Sequence, residues 1–130
     1  MEASIKALEG VLEIDPAGDF LIQAGYYADG LELYRAAAMR FPDHAALHQG
    51  VGCCAGHEGR HDEAIAASKA ALALDPENQK YVNDLGWSLF EADLLVEARQ
   101  VLKRAVATDP SDDLARENLR YCNEALADGT

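Results

Sequence analysis

The segment from residue 57 to residue 61, His-Glu-Gly-Arg-His, has the spacing of a zinc-binding motif. In metalloproteases the two histidines of H-E-x-x-H lie on one helical face and hold zinc, while the glutamate activates the metal-bound water. This chemistry requires one continuous helix through His57 and His61. The motif is also incomplete, because Ala64 and Ala67 stand where its extended form has glycine and histidine.

Three cysteines suggest a second kind of chemistry, a site of thiolate and imidazole ligands for zinc or for redox control. Cys53 and Cys54 are adjacent, however, and neighbouring side chains on a helix point about 100° apart. Structural zinc sites also take four ligands in regular spacings, and an odd number of cysteines disfavours a disulfide framework. We predict that Cys54 and Cys122 pack inward as small apolar groups and that Cys53 faces the opposite side. A metal- or thiol-dependent role at Cys53, His57 and His61 is a distant alternative.

A third motif, Gly-Val-Gly-Cys-Cys-Ala at residues 50–55, matches the G-x-G-x-x-A string of dinucleotide-binding loops. Such a loop needs a strand before it and a helix after it. We find no nucleophile elbow, phosphate loop or supported pair of carboxylates elsewhere in the sequence. The sequence therefore predicts that the protein is not an enzyme and uses no cofactor.

The composition limits the class of partner. Of the 130 residues 49% are hydrophobic, and 23 Asp and Glu against 11 Lys and Arg give a net charge of −12. This charge disfavours nucleic acid and anionic membrane surfaces as partners, and no apolar run approaches the ~20 residues of a bilayer span. Residues 1–10 lack the charged start and apolar stretch of a secretory signal. We expect a soluble, cytoplasmic protein with reduced thiols.

The sequence around these motifs has an internal period of 34 residues. Prolines recur at this interval, at Pro42, Pro76 and Pro110. Small residues recur with the same spacing, at Gly18, Gly52 and Gly86, and at Ala37, Ala71 and Ala105. Within a unit, apolar residues at helical spacing predict a first helix, a turn follows near Asp93 or its equivalent, and proline marks the end of a second helix. Small residues let the two helices approach closely.

This pattern resembles that of the tetratricopeptide repeat (TPR) family, whose unit is a helix–turn–helix of 34 residues. The third unit carries five of the family's signature residues, Leu85, Gly86, Ala98, Ala105 and Pro110. The second unit has His48, Ala55 and Ser68 where the family usually has bulky groups, which predicts a lighter core. The resemblance implies an all-α, right-handed superhelical solenoid of antiparallel helix pairs with about seven or eight helices.

We predict a single domain built from five segments: a half-repeat helix in 1–15, an irregular first repeat in 16–44, repeats in 45–78 and 79–112, and a capping helix in 113–126. The Asp-Pro pair at Asp15 and Pro16 resembles the pairs that end later units, so Asp15 is predicted to cap a shortened helix. Ser111 is predicted to cap the last helix. In this register Gly59 lies in a turn, which places His57 and His61 on different helices.

In the family, the first helices of successive units line a concave groove that receives a peptide or a partner helix. The resemblance assigns ten residues to this groove: Gln49, Cys53, His57, Lys80, Asn83, Trp87, Phe90, Glu91, Glu117 and Tyr121. Its aromatic side chains are where binding energy tends to concentrate, and its carboxylates favour a basic ligand. The alternative for Trp87 and Phe90 is burial under the next helix.

Family members that bind chaperones hold a terminal carboxylate with Lys, Asn, Asn, Lys and Arg side chains. The matching positions here are Asp15, Asp19, Gly50, Lys80 and Asp84. Only Lys80 agrees, so an acidic C-terminal tail is disfavoured as the ligand.

The sequence thus predicts a protein–protein interaction module, an adaptor, scaffold or chaperone-like protein, that binds a basic or amphipathic segment of another protein. The alternative is a homo-oligomeric scaffold, in which a second copy covers apolar surface of the light second unit and the N-terminal repeat.

Overall fold

The computed structural model describes residues 11–128, with side chains from Pro16 onward. The regular structure in this part of the chain is helical. The seven helices are α1 (Val11–Gln23), α2 (Tyr27–Arg40), α3 (Ala45–His57), α4 (His61–Leu74), α5 (Gln79–Glu91), α6 (Leu95–Thr108) and α7 (Asp113–Asp128).

Three helix pairs repeat in one register. Helices α3 and α5 have 13 residues each, as does the described part of α1, and α2, α4 and α6 have 14 residues each. Each helix packs against the next one in sequence, and α1 also contacts α3, α3 contacts α5, and α5 contacts α7. Helices α1, α3, α5 and α7 therefore form one layer, and α2, α4 and α6 form the other. The predicted all-α solenoid of antiparallel helix pairs is confirmed.

One residue with a left-handed backbone closes the turn within each pair. These residues are Gly25 (φ 82°), Gly59 (φ 75°) and Asp93 (φ 64°). Glycine adopts this conformation without steric cost, and aspartate is among the few other residues that tolerate it. The turns predicted near Gly59 and Asp93 are confirmed.

Side-chain size distinguishes the second pair, α3 and α4, from the third pair, α5 and α6. In the third pair, a Cβ atom built on Gly86 would lie 2.5 Å from Cδ2 of the buried Leu102. In the second pair, the nearest neighbour of a Cβ atom built on Gly52 would be Oγ of Ser68, at 3.2 Å. The predicted lighter core of the second pair is therefore confirmed at this contact.

The prediction that a helix begins at Asp15 and Pro16 is wrong, because α1 continues through both residues. Pro16 lacks the N–H that would bond the carbonyl of Leu12, four residues earlier. The helix continues nevertheless, since it packs against α2 and α3 and its Ala17 and Leu21 side chains contact the core. The first pair thus shares the register of the other two. Residues 1–10 of the predicted half-repeat helix lie outside the described residues.

The prediction that Ser111 caps α7 is also wrong. Oδ1 of Asp112 accepts a hydrogen bond from the backbone N–H of Ala115 at 3.1 Å, whereas the Ser111 hydroxyl donates to Oδ1 of Asp109 at 2.6 Å. The hydrogen bond from Ala115 lowers the pKa of Asp112, as expected for a carboxylate at a helix N-terminus. Asp112 therefore fixes the start of the last helix.

Candidate functional site

Two adjoining recesses lie between neighbouring helices of the layer that α1, α3, α5 and α7 form. The first recess, about 330 Å³, is lined by Gln49, Gly52, Cys53, Gly56 and His57 of α3, Ser68 of α4, and Asp84, Trp87, Ser88 and Glu91 of α5. The second recess, about 360 Å³, is lined by Asn83, Asp84 and Trp87 of α5 and by Leu114, Glu117, Asn118 and Tyr121 of α7. We call the two recesses together the groove. Asp84 and Trp87 belong to both, so they stand between the two recesses.

Eight of the ten residues assigned to the groove from the sequence line one recess or both. The two that do not are Lys80 and Phe90. Phe90 packs against the core around Leu89 and Leu102 and stacks on Trp87 with ring centroids 5.1 Å apart. Phe90 therefore supports Trp87 from below, and the aromatic surface in the groove consists of Trp87 and Tyr121.

Trp87 and Tyr121 both keep part of their rings exposed, 36% and 37% respectively. The hydroxyl of Tyr121 donates to Oε1 of Glu117 at 2.9 Å, and the guanidinium of Arg120 lies 4.7 Å from the centre of the Tyr121 ring. These contacts hold the tyrosine ring on α7. Because Trp87 is 36% exposed, the alternative of burial beneath the next helix is wrong for Trp87, whereas Phe90 does pack against the core.

The negative charge that α7 brings to the groove is partly neutralised. Arg120 pairs with Glu124 at 2.9 Å and lies 3.8 Å from Glu117. Exposed ion pairs of this kind contribute little to stability, but they reduce the field that a ligand would meet. The acidity predicted for this side of the groove is correspondingly weaker.

Asp84 is the acidic group at the centre of the groove. Burial raises the pKa of its carboxyl group, while Lys80, one turn earlier, and a hydrogen bond from Gln49 act in the opposite direction. Its Oδ2 atom is buried and has no hydrogen-bond partner among the described residues. A buried carboxylate oxygen without a partner is unfavourable, so a cation from a ligand would stabilise this site.

The sequence comparison placed Asp84 only among the positions where chaperone-binding family members hold a terminal carboxylate, and it did not assign Asp84 to the groove. The signal was the spacing along α5, since Lys80, Asp84, Trp87 and Glu91 recur at i, i+4, i+7 and i+11 and so share one helical face. The predicted set included Asn83 instead. Its side chain is buried and donates to Oδ2 of Asp112 at 2.8 Å, so Asn83 links α5 to the start of α7.

The two histidines of the H-E-x-x-H segment lie on different helices, as predicted. His57 is the last residue of α3, and His61 is the first residue of α4. The ring of His57 stacks on that of Tyr27 at 3.9 Å. Among residues 11–128, no group of three or more His, Cys, Asp or Glu side chains is placed to hold a metal ion. The G-x-G-x-x-A segment lies inside α3, where it cannot form a dinucleotide-binding loop.

The three cysteines are free thiols. Cys54 and Cys122 are fully buried, as predicted, and Cys53 is half-buried on the wall of the first recess. Burial raises the pKa of all three thiols, that of Cys54 to about 12. Because the thiolate is the reactive and metal-binding form, these shifts disfavour redox or metal chemistry at neutral pH.

Solenoids of stacked helix pairs form a class of proteins whose extended concave surfaces bind other proteins. Two sequence models described as tetratricopeptide repeat match the chain, one at residues 17–78 and the other at residues 57–120. The chain belongs to the tetratricopeptide repeat family.

Known relatives agree with this assignment. The chain is 26% identical over 115 residues to the small glutamine-rich tetratricopeptide repeat-containing protein 2 of Mycosarcoma maydis, and this match covers 88% of the chain but 33% of that protein. The chain thus spans about a third of that relative's length. None of the described helices has both the length and the apolar character of a membrane span.

Two solved structures have the same fold. The first TPR of Spaghetti (RPAP3) bound to the HSP90 peptide SRMEEVD has a TM-score of 0.83 and 22% identity, covering 89% of this chain and 92% of that one. The first TPR domain of human RPAP3 has a TM-score of 0.84 and 21% identity, covering 90% and 92%.

Proposed function

We propose that the groove binds an extended segment of another protein that carries basic and apolar side chains. The chain would then act as an adaptor, scaffold or chaperone-like module. The observation that carries this proposal is the pair of adjoining recesses that share Trp87 and Asp84. Extended peptides place alternate side chains in successive pockets, and partly exposed aromatic rings are common anchors at interfaces.

The choice of a basic rather than an acidic ligand rests on charge. The chain has a net charge of −12, and Asp84 and Glu91 both line the first recess. One similar domain binds the peptide SRMEEVD, in which three of seven residues are acidic. Asp19 and Asp84 stand where chaperone-binding family members have amide and guanidinium groups, so like charges would repel such a peptide here.

A cytoplasmic location is part of the proposal. It is supported by the three free cysteines, two of which are fully buried. Unpaired thiols are typical of reducing compartments.

A library of random octapeptides displayed on phage tests this function. Selection on the wild-type chain is expected to enrich peptides whose binding is weakened at least tenfold by Trp87→Ala, because truncation of a central aromatic anchor commonly costs ~2 kcal/mol or more. The matched control is Tyr26→Ala, which removes an exposed aromatic ring outside the groove. Enrichment of no peptide, or of peptides that bind Trp87→Ala and wild type equally, would contradict the proposal.

Self-assembly is the second candidate function. It is favoured by three exposed apolar side chains of the first helix pair and its turn, Phe20, Tyr26 and Met39, which are 67%, 57% and 85% exposed. Sedimentation equilibrium at micromolar concentration separates the candidates. A dimer that becomes a monomer in Phe20→Ala would support self-assembly, and a wild-type monomer would exclude it at that concentration.

A further inference from the structure

The first recess has room for one long side chain. Small residues, among them Gly52, Gly56 and Ser68, form part of its wall, in the region where the third pair has the buried Leu102. Its volume of about 330 Å³ is roughly ten times the ~30 Å³ that one water molecule occupies in the liquid. The recess is therefore larger than a site for one or two bound waters.

The charged groups around this recess are predominantly acidic. Asp84 and Glu91 line it from α5, and Oε1 of Glu91 lies 4.0 Å from a Cβ atom built on Gly56 across the recess. Asp19 on α1 and Asp84 both act on the thiol of Cys53, against the single opposing charge of Lys80. A cationic group entering the recess would therefore meet a favourable field.

Asp84 also has an oxygen atom available for a ligand. Its Oδ2 atom is buried without a hydrogen-bond partner among the described residues. Rotation about the last torsion of an aspartate side chain is soft, so the carboxylate can turn an oxygen toward the recess. The indole of Trp87 stands beside it and offers an apolar surface for the methylene stem of a lysine or arginine.

We propose that the first recess is a subsite for one lysine or arginine side chain of the bound segment, with its cationic group at Asp84 and its stem against Trp87. The second recess, lined by Leu114, Trp87 and Tyr121, takes an apolar side chain of the same segment. Packed helices are 8–10 Å apart, an extended chain advances about 3.3 Å per residue, and its alternate side chains share one face, so these two side chains lie two or four residues apart. This inference rests on the proposed function and specifies its ligand.

The octapeptide library provides the first test. Peptides enriched on the wild-type chain are expected to share a lysine or arginine at one position and an apolar residue two or four positions away. The same selection on Asp84→Asn is expected to lose the preference for the basic residue and to keep the preference for the apolar one. The matched control is Asp62→Asn, which makes the same change at an exposed position at the start of α4.

A double-mutant cycle with one enriched peptide provides the second test. Asp84→Asn is expected to weaken binding about ten- to a hundredfold, as for loss of a hydrogen bond to a charged group. Replacement of the basic residue by norleucine, which keeps the stem, is expected to weaken binding to the wild type by a similar factor and binding to Asp84→Asn hardly at all. Circular dichroism checks that Asp84→Asn keeps its helical content.

The outcomes separate this inference from the proposed function. Peptides that depend on Trp87 but lack a basic residue would overturn the subsite and leave the proposed function intact. The subsite would also be overturned if the affinity losses caused by Asp84→Asn and by norleucine simply multiplied in the double variant. Such independence would show that Asp84 and the basic side chain of the peptide do not interact. A library that yields no peptide dependent on Trp87 would overturn the proposed function itself.

Discussion

The second and third helix pairs share one register and one set of helix lengths, yet they differ in what fills the contact between their helices. In the third pair Gly86 packs tightly on Leu102, which is fully buried. In the second pair Gly52 meets the small side chain of Ser68, and both residues line the first recess. One repeat architecture therefore contains a packed contact in the third pair and an open recess, which we propose binds a ligand side chain, in the second.

The largest expected effect on stability is at the packed contact of the third helix pair. Leu102→Ala is expected to lower the free energy of unfolding by about 2–5 kcal/mol, because it leaves a cavity at a fully buried site. Ser68→Ala, at the equivalent position of the second pair, is expected to change it by less than about 1 kcal/mol. Urea denaturation followed by circular dichroism measures both. Equal losses in the two variants would break the comparison.

The glycines opposite these residues give the next largest effect. Gly86→Ala places a methyl group 2.5 Å from Leu102, and the overpacking is expected to destabilise the fold by about 1–3 kcal/mol. Gly52→Ala meets its nearest neighbour at 3.2 Å, so its better helix propensity, worth about 1 kcal/mol, roughly offsets the contact. Thermal unfolding of the two variants measures the difference. Greater destabilisation by Gly52→Ala would contradict the assignment of the tight contact to the third pair.

Most of the fold was predictable from the sequence, because columns of small residues and proline at a 34-residue interval report directly on where helices approach and end. The error at Asp15 and Pro16 came from giving a local Asp-Pro pair more weight than the period, although Ala17 and Gly18 already stood in register with the later units. Proline was tolerated inside α1 because tertiary packing outweighs the loss of one hydrogen bond.

The groove was predictable only in part. The sequence positions identified the helices that line the groove. They did not show whether a side chain at its edge faces the groove or packs against a neighbouring helix. Phe90 packs into the core beneath Trp87, and Asn83 is recruited by Asp112. Asp84 was missed because its importance depends on burial and on an oxygen without a partner, which are properties of the assembled structure.

A substitution that gives the second helix pair the core side chain of the third tests whether the first recess binds the peptide. Ser68→Leu places in the second pair the side chain that the third pair has at Leu102, and it is expected to fill the first recess. Binding of an enriched peptide is expected to weaken at least tenfold, a change of about 1.4 kcal/mol, with helical content retained. Fluorescence polarisation with a labelled peptide measures the affinity. Unchanged affinity in a folded variant would show that the recess is not used.

The smallest expected effect concerns the charge that the recess contains. Burial raises the pKa of Asp84 above its ordinary value, so the folded chain holds this proton more tightly than the unfolded chain. Its contribution to stability therefore falls as pH rises from about 4, the ordinary pKa of aspartate, through the raised pKa. Asp84→Asn is therefore expected to stabilise the fold at pH 7.

Urea denaturation between pH 3.5 and pH 7 measures this dependence. The advantage of Asp84→Asn over the wild type is expected to disappear below about pH 4, where aspartate is protonated in both states. A variant that is less stable than the wild type at pH 7 would show that the carboxylate is compensated within the fold, and that the recess has no need of a ligand cation.

The central claim, that the groove is the binding surface, is tested most directly by mapping the amide chemical shifts of the labelled chain during titration with an enriched octapeptide. The largest changes are expected on α3, α5 and α7 around the two recesses, with the side-chain indole N–H of Trp87 among them and the outer residues of α4 and α6 unchanged. Changes concentrated on α2, α4 and α6, with the indole signal unmoved, would contradict it.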